Sequence, residues 1–132
     1  MAVATCKFVI TTQQPTSLGS ADQETITFSG TVTFSAAADT YATGGMLPAT
    51  GAALKNLGPY ADRVPLAVYI GSQSGSGLTY AYNSGTGKLQ VFGGGGSGTA
   101  GITEITNGTA LNATTPQIFT DVVKFQAIFP RV

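Results

Sequence analysis

The chain has 132 residues, of which six are basic and six acidic, so charged side chains make up 9% of the sequence and the formal net charge is zero; a typical soluble domain carries about 25%. With no basic stripe, nucleic-acid binding through phosphate neutralisation is excluded. With no histidine and one cysteine, the sequence also excludes an internal disulfide, a structural zinc site and Ser-His-Asp or Cys-His catalysis within one chain.

The length suits a single domain over residues 1–132, with extended termini and a Gly-rich loop at 93–98. Period-two alternation of apolar and polar residues dominates it, the pattern of a half-buried strand. At the N-terminal end, Ala4, Cys6, Phe8 and Ile10 alternate with Thr5, Lys7, Val9 and Thr11. No basic region precedes these apolar residues and Lys7 interrupts them, which argues against a secretory signal. No apolar run approaches the length that crosses a membrane.

"ETITFSGTVTFSA" is the clearest strand: Ile26, Phe28, Val32 and Phe34 share one face, and Thr25, Thr27, Ser29, Thr31 and Thr33 the other. Gly30 falls in the apolar register without a side chain, which marks a bulge or a close backbone approach. "TGAALKNLGPY" holds at most a turn or two of helix, ended by Gly58-Pro59. "PLAVYIGS" then sets Leu66, Val68 and Ile70 against Ala67 and Tyr69.

"LTYAYNSGTGKLQV" reads as a hairpin around a Ser84–Gly87 loop. That loop places Asn83 opposite Lys88, Tyr82 opposite Leu89 and Tyr80 opposite Val91. Directly opposed residues share a face, so Leu78, Tyr80, Tyr82, Leu89 and Val91 form one apolar surface. Asn107-Gly108 signals a second, weaker hairpin in "TEITNGTALN", with Ile105 opposite Ala110. Finally, Val123, Phe125, Ala127 and Phe129 oppose Lys124, Gln126 and Ile128, until Pro130, which has no donor, ends the ladder. About eight short strands with little or no helix predict an all-β fold, an antiparallel β-sandwich of jelly-roll type.

The chemistry-bearing residues are few. Cys6 lies on an apolar strand face and reads as a small buried side chain. Asp22, Glu24, Asp39, Asp62, Glu104 and Asp121 are the carboxylates a glycosidase would need, but no pair has a spacing that demands a shared cleft. "GGGGSG" lacks the lysine and the following helix of a phosphate loop and reads as a flexible surface loop. Among Tyr41, Tyr60, Tyr69, Tyr80 and Tyr82, the last two share a face with Leu89 and Val91 and read as core. Tyr69 lies opposite the apolar side of its strand and is open to a ligand or partner. No catalytic, cofactor or metal residue is assigned.

Three stretches, "TVTFSAAADTYATGGMLP", "LTYAYNSGTGKLQVF" and "VVKFQAIFPRV", together resemble small virion proteins of tailed bacteriophages, cyanophages included, of the capsid cement (decoration) type. The resemblance implies an all-β domain made in the host cytoplasm and carried on the capsid exterior. It implies a dimer or trimer whose partner is the major capsid protein, clamping neighbouring capsomers, with no catalytic residues, nucleic acid or membrane involved. Loops 35–63 and 93–101 are the segments expected to reach neighbouring subunits. The alternative is a tail- or fibre-associated module that binds host glycans, with Tyr69 and Tyr41 as its test positions.

Overall fold

A computed structural model of the chain describes residues 2–16, 25–58, 60–94, 102–114 and 117–130. The alternating segments become strands β1 (Thr5–Thr16), β2 (Thr25–Phe34), β3 (Leu47–Pro48), β4 (Ala67–Ser72), β5 (Thr79–Asn83), β6 (Lys88–Gly94), β7 (Ile102–Glu104) and β8 (Val123–Pro130). The all-β expectation is met. A single 3₁₀ turn, Leu54–Asn56, is the helix allowed for in "TGAALKNLGPY".

All eight strands belong to one sheet, ordered β3-β1-β2-β8-β4-β5-β6-β7. The two faces that a sandwich packs together are supplied here by one sheet curled on itself. Met46 and Leu89 exchange backbone hydrogen bonds of 2.8 and 2.9 Å, which brings β6 onto the approach to β3 and closes the curl. Gly45 makes that closure possible. Its φ is +115°, and a β-carbon there would meet the Leu89 carbonyl oxygen at 2.7 Å.

Inward residues pack both along one wall and across the interior. Phe8 on β1 packs edge-on against Phe125 of β8 at 5.2 Å and against Tyr82 of β5 at 6.0 Å. Phe28 packs edge-on against Phe129 at 5.7 Å, and Phe34 stacks on Tyr80. Aromatic pairs in these geometries add about 1 kcal/mol each beyond their burial. Met46, Leu89, Val91, Leu111 and Ile118 complete a fully buried centre.

β2 alternates as read, with Ile26, Phe28 and Val32 buried. The register of β1 against β2 slips between Ile10 and Thr12, so Thr11 is an extra residue opposite Gly30 and Ser29. A β-carbon on Gly30 would lie 1.9 Å from the Val9 carbonyl oxygen. The glycine is thus explained by both a bulge and a close approach. The β5–β6 register is Asn83↔Lys88, Tyr82↔Leu89 and Tyr80↔Val91, as the hairpin reading requires.

Four expectations change. Leu66 is largely exposed, because it precedes β4 at the end of the barrel, while Val68 and Ile70 do pack against the core. Asn107-Gly108 occupies a turn closed by Thr109 N–H to the Thr106 carbonyl, yet Ile105 and Ala110 do not pair. Ile105 bonds to Val91 and Ala110 bridges Thr40. Only Gly108 of the two has positive φ, whereas the hairpin-forming type I′ turn needs both, so the arms splay. Segment 35–63, expected as a long loop, is anchored in the core by Tyr41, Met46, Leu54 and Ala61. In the glycine run, Gly93 and Gly94 complete β6, and 95–98, like most of 93–101, lies outside the described residues.

Candidate functional site

β4 and β5 are joined at a single register position, Gly71↔Thr79. The seam beyond it is laced by side chains. Asp121, just before β8, accepts hydrogen bonds from the hydroxyls of Ser72 (2.7 Å), Ser74 (2.5 Å), Ser76 (2.9 Å) and Tyr80 (2.6 Å). Ser76 Oγ also lies 3.0 Å from Ser72 Oγ, and Val122 N–H donates to Ser74. Burial alone raises the Asp121 pKa. The hydrogen bonds from Ser74, Tyr80, Ser72 and Ser76 together outweigh it and hold the carboxyl below its ordinary value. Tyr80 is shifted the other way, upward, by burial first and then by the neighbouring carboxylate.

A second cluster ties segment 35–63 to β6 and β7. The buried Tyr41 hydroxyl donates to Glu104 Oε1 at 2.8 Å and accepts from Val91 N–H at 3.0 Å. Gly44 N–H donates to the same Glu104 oxygen, and Thr43 N–H to Asn107 Oδ1. Burial is the main cause of the raised Tyr41 pKa. Tyr41 therefore cannot serve as an exposed stacking ring, which corrects its place in the glycan reading. Tyr80 is core, as expected, and Tyr82 is half-buried against it.

The remaining candidates are dispersed. Asp22 and Glu24 lie outside the described residues. Asp39 accepts a 2.6 Å bond from Ser35 Oγ. Asp62 lines a depression of about 190 Å³ with Arg63 and Lys55, and no second carboxylate lines it. Cys6 is buried and its thiol, pushed up to about 12 by desolvation, stays protonated. Among the described residues no group of three or more Cys, Asp or Glu side chains gathers where a metal ion could sit. Among the described residues no helix is long and apolar enough to cross a membrane.

What remains is surface. Four of the eight exposed large apolar side chains among the described residues, Val3, Leu47, Phe119 and Val122, belong to segments gathered at one end of the barrel. Leu47 pairs with Thr5 and Val3 bridges Thr40; Thr40 bridges Ala110, Phe119 N–H bonds to Leu111, and Val122 directly precedes β8. No protein-family model, curated protein or solved structure matches the chain.

The outer wall of β1, β2, β8 and β4 is of a different kind. Row by row it presents Val9, Thr31, Lys124 and Gly71, then Ser29, Gln126 and Tyr69, then Thr27, Ile128 and Ala67. Tyr69 is 61% exposed, in agreement with its place opposite the apolar side of β4. Sequence reasoning missed the Asp121 cluster. Its signal was the Ser-x-Ser-x-Ser spacing of "SQSGSG", which sets three hydroxyls at every second position.

Proposed function

We propose that the chain is a structural virion protein of a tailed bacteriophage, a capsid cement protein that binds the outer surface of the head. It would stabilise contacts between capsomers of the major capsid protein and act as a homo-oligomer. The observation that carries this reading is the apolar end of the barrel. Val3 and Leu47 are 62% and 54% exposed, and Phe119 and Val122 lie on adjoining segments. Apolar side chains collected at one end of a weakly charged surface suit burial against a protein partner.

The resemblance adds support, since its three stretches fall on β2 with the segment up to β3, on the β5–β6 hairpin, and on β8. Repetition of a modest contact on an oligomer gives firm attachment through effective concentration. The test is co-sedimentation of purified protein with expanded, undecorated heads of the virus that encodes it. Saturable binding, weakened by Leu47→Asp without loss of fold, is the expected outcome. Absence of binding to such heads, or density for the protein elsewhere on the virion, removes the reading. Sedimentation of the free protein at micromolar concentration is expected to show a dimer or trimer.

A further inference from the structure

Along the outward face of β4 the residues are Tyr69, Gly71 and, just past the strand, Gln73, and beside them on β8 lie Gln126 and Lys124. Gly71 has an ordinary strand conformation, and a β-carbon built on it would meet nothing within 4 Å. The missing side chain leaves a notch in the wall, part of a shallow depression of about 310 Å³. Tyr69 flanks one side and Lys124, the cross-strand partner of Gly71, the other.

We propose that this notch binds a carboxylate-bearing saccharide unit, its ring against Tyr69 and its carboxylate on Lys124. An exposed phenol ring offers an apolar face with a polar tip, matching the C–H face and hydroxyl rim of a pyranose. The Gln73 and Gln126 amides both donate and accept, as vicinal hydroxyls require. Charge selects the acidic sugar. The described outward side chains of β1, β2, β8 and β4 include Lys7 and Lys124 and no carboxylate. Lys124 has no acidic partner among the described residues, and the nearest carboxylate in sequence, Asp121, is engaged by four hydroxyls. An ammonium left free beside an open notch makes a charge-assisted bond to an incoming carboxylate. The site is independent of the capsid reading, which is tested on heads and rests on other residues.

Titration of the full chain with trigalacturonate, followed by amide chemical shifts, tests the proposal against the neutral galactose trisaccharide. Saturable shifts at β4 and β8, with tighter binding of the acidic sugar, are expected. Gly71→Val fills the notch with a strand-compatible side chain where nothing obstructs it. It should weaken binding about tenfold or more with an unchanged melting temperature, as should Tyr69→Ala. Lys124→Gln should abolish the preference for the acidic sugar and leave the neutral one unaffected. Absence of saturable binding at millimolar trigalacturonate, or binding indifferent to Gly71→Val, overturns the proposal. Capture of polyglutamate at these residues in place of the saccharide overturns it in favour of an acidic protein segment.

Discussion

The Tyr80 hydroxyl donates a 2.6 Å hydrogen bond to Asp121, linking β5 to the entrance of β8 across the one seam where β4 and β5 barely pair. Three serine hydroxyls converge on the same carboxylate. Asp121→Ala is expected to lower stability by about 2 kcal/mol, because the exposed Ser74 and half-buried Ser72 and Ser76 hydroxyls regain water more readily than the buried Tyr80. Tyr80→Phe, which leaves the serines bonded, should cost about 1 kcal/mol. Urea unfolding of the two variants measures both.

The same carboxylate gives a pH dependence. Its folded pKa lies below the ordinary 3.8, so the folded state favours the ionised form. The stabilisation is fully present above the unfolded value and is lost as pH falls through the folded one. The stability gap between wild type and Asp121→Asn should be widest above the ordinary carboxylate value and should narrow as pH falls below it. A gap that is constant with pH would refute the assignment.

Cys6 is expected to be inert in the native protein. Its thiol is buried, with Sγ 3.8 Å from the Met46 carbonyl oxygen, and its pKa is raised to about 12. The thiolate that alkylating reagents need is therefore scarce near neutral pH. Thiol titration at mildly alkaline pH should show no reaction in buffer and one equivalent in denaturant. Rapid labelling of the native chain would contradict the burial.

Tyr41→Phe removes an acceptor from Val91 N–H and a donor from Glu104 in one step. An unsatisfied buried N–H makes this costlier than an ordinary hydroxyl deletion, about 2 kcal/mol. Glu104→Gln keeps an acceptor oxygen for both Tyr41 and Gly44 and should cost less. Thermal melts of the pair check the order.

Gly30→Ala is expected to cost about 3 kcal/mol, near the upper range of overpacking, since its β-carbon would occupy the position of the Val9 carbonyl. Deletion of Thr11, the residue inserted opposite it, removes the bulge and leaves Thr12 in line with Ser29, so it should cost less than Gly30→Ala. Melting temperatures of both variants check this.

Gly30 also marks how far the sequence could be read. Local alternation exposed β2, β8 and the β5–β6 register, because each depends on side chains within one strand or across one short loop. Gly30 stood out as an apolar position without a side chain. The Asn107-Gly108 turn was legible but its pairing was not, since the arm after it found Thr40 and Tyr41, more than sixty residues upstream. Segment 35–63 lacks alternation and read as a long loop, yet single residues far apart in it, Tyr41, Met46 and Leu54, anchor it. The Asp121 cluster and the notch at Gly71 depend on which strands become neighbours, and a one-strand pattern does not carry that.

The bonds between Met46 and Leu89 have one further effect. Where the ladder meets its own beginning, the backbone groups of Met46 and Leu89 are already taken, whereas β1 pairs with β3 at Thr5 and Cys6 and runs on to Thr16. Strand addition is discouraged at that closure, in a polypeptide with so little electrostatic repulsion to keep its copies apart. Copies that associate at that closure must meet through side chains, where geometry can limit how many join.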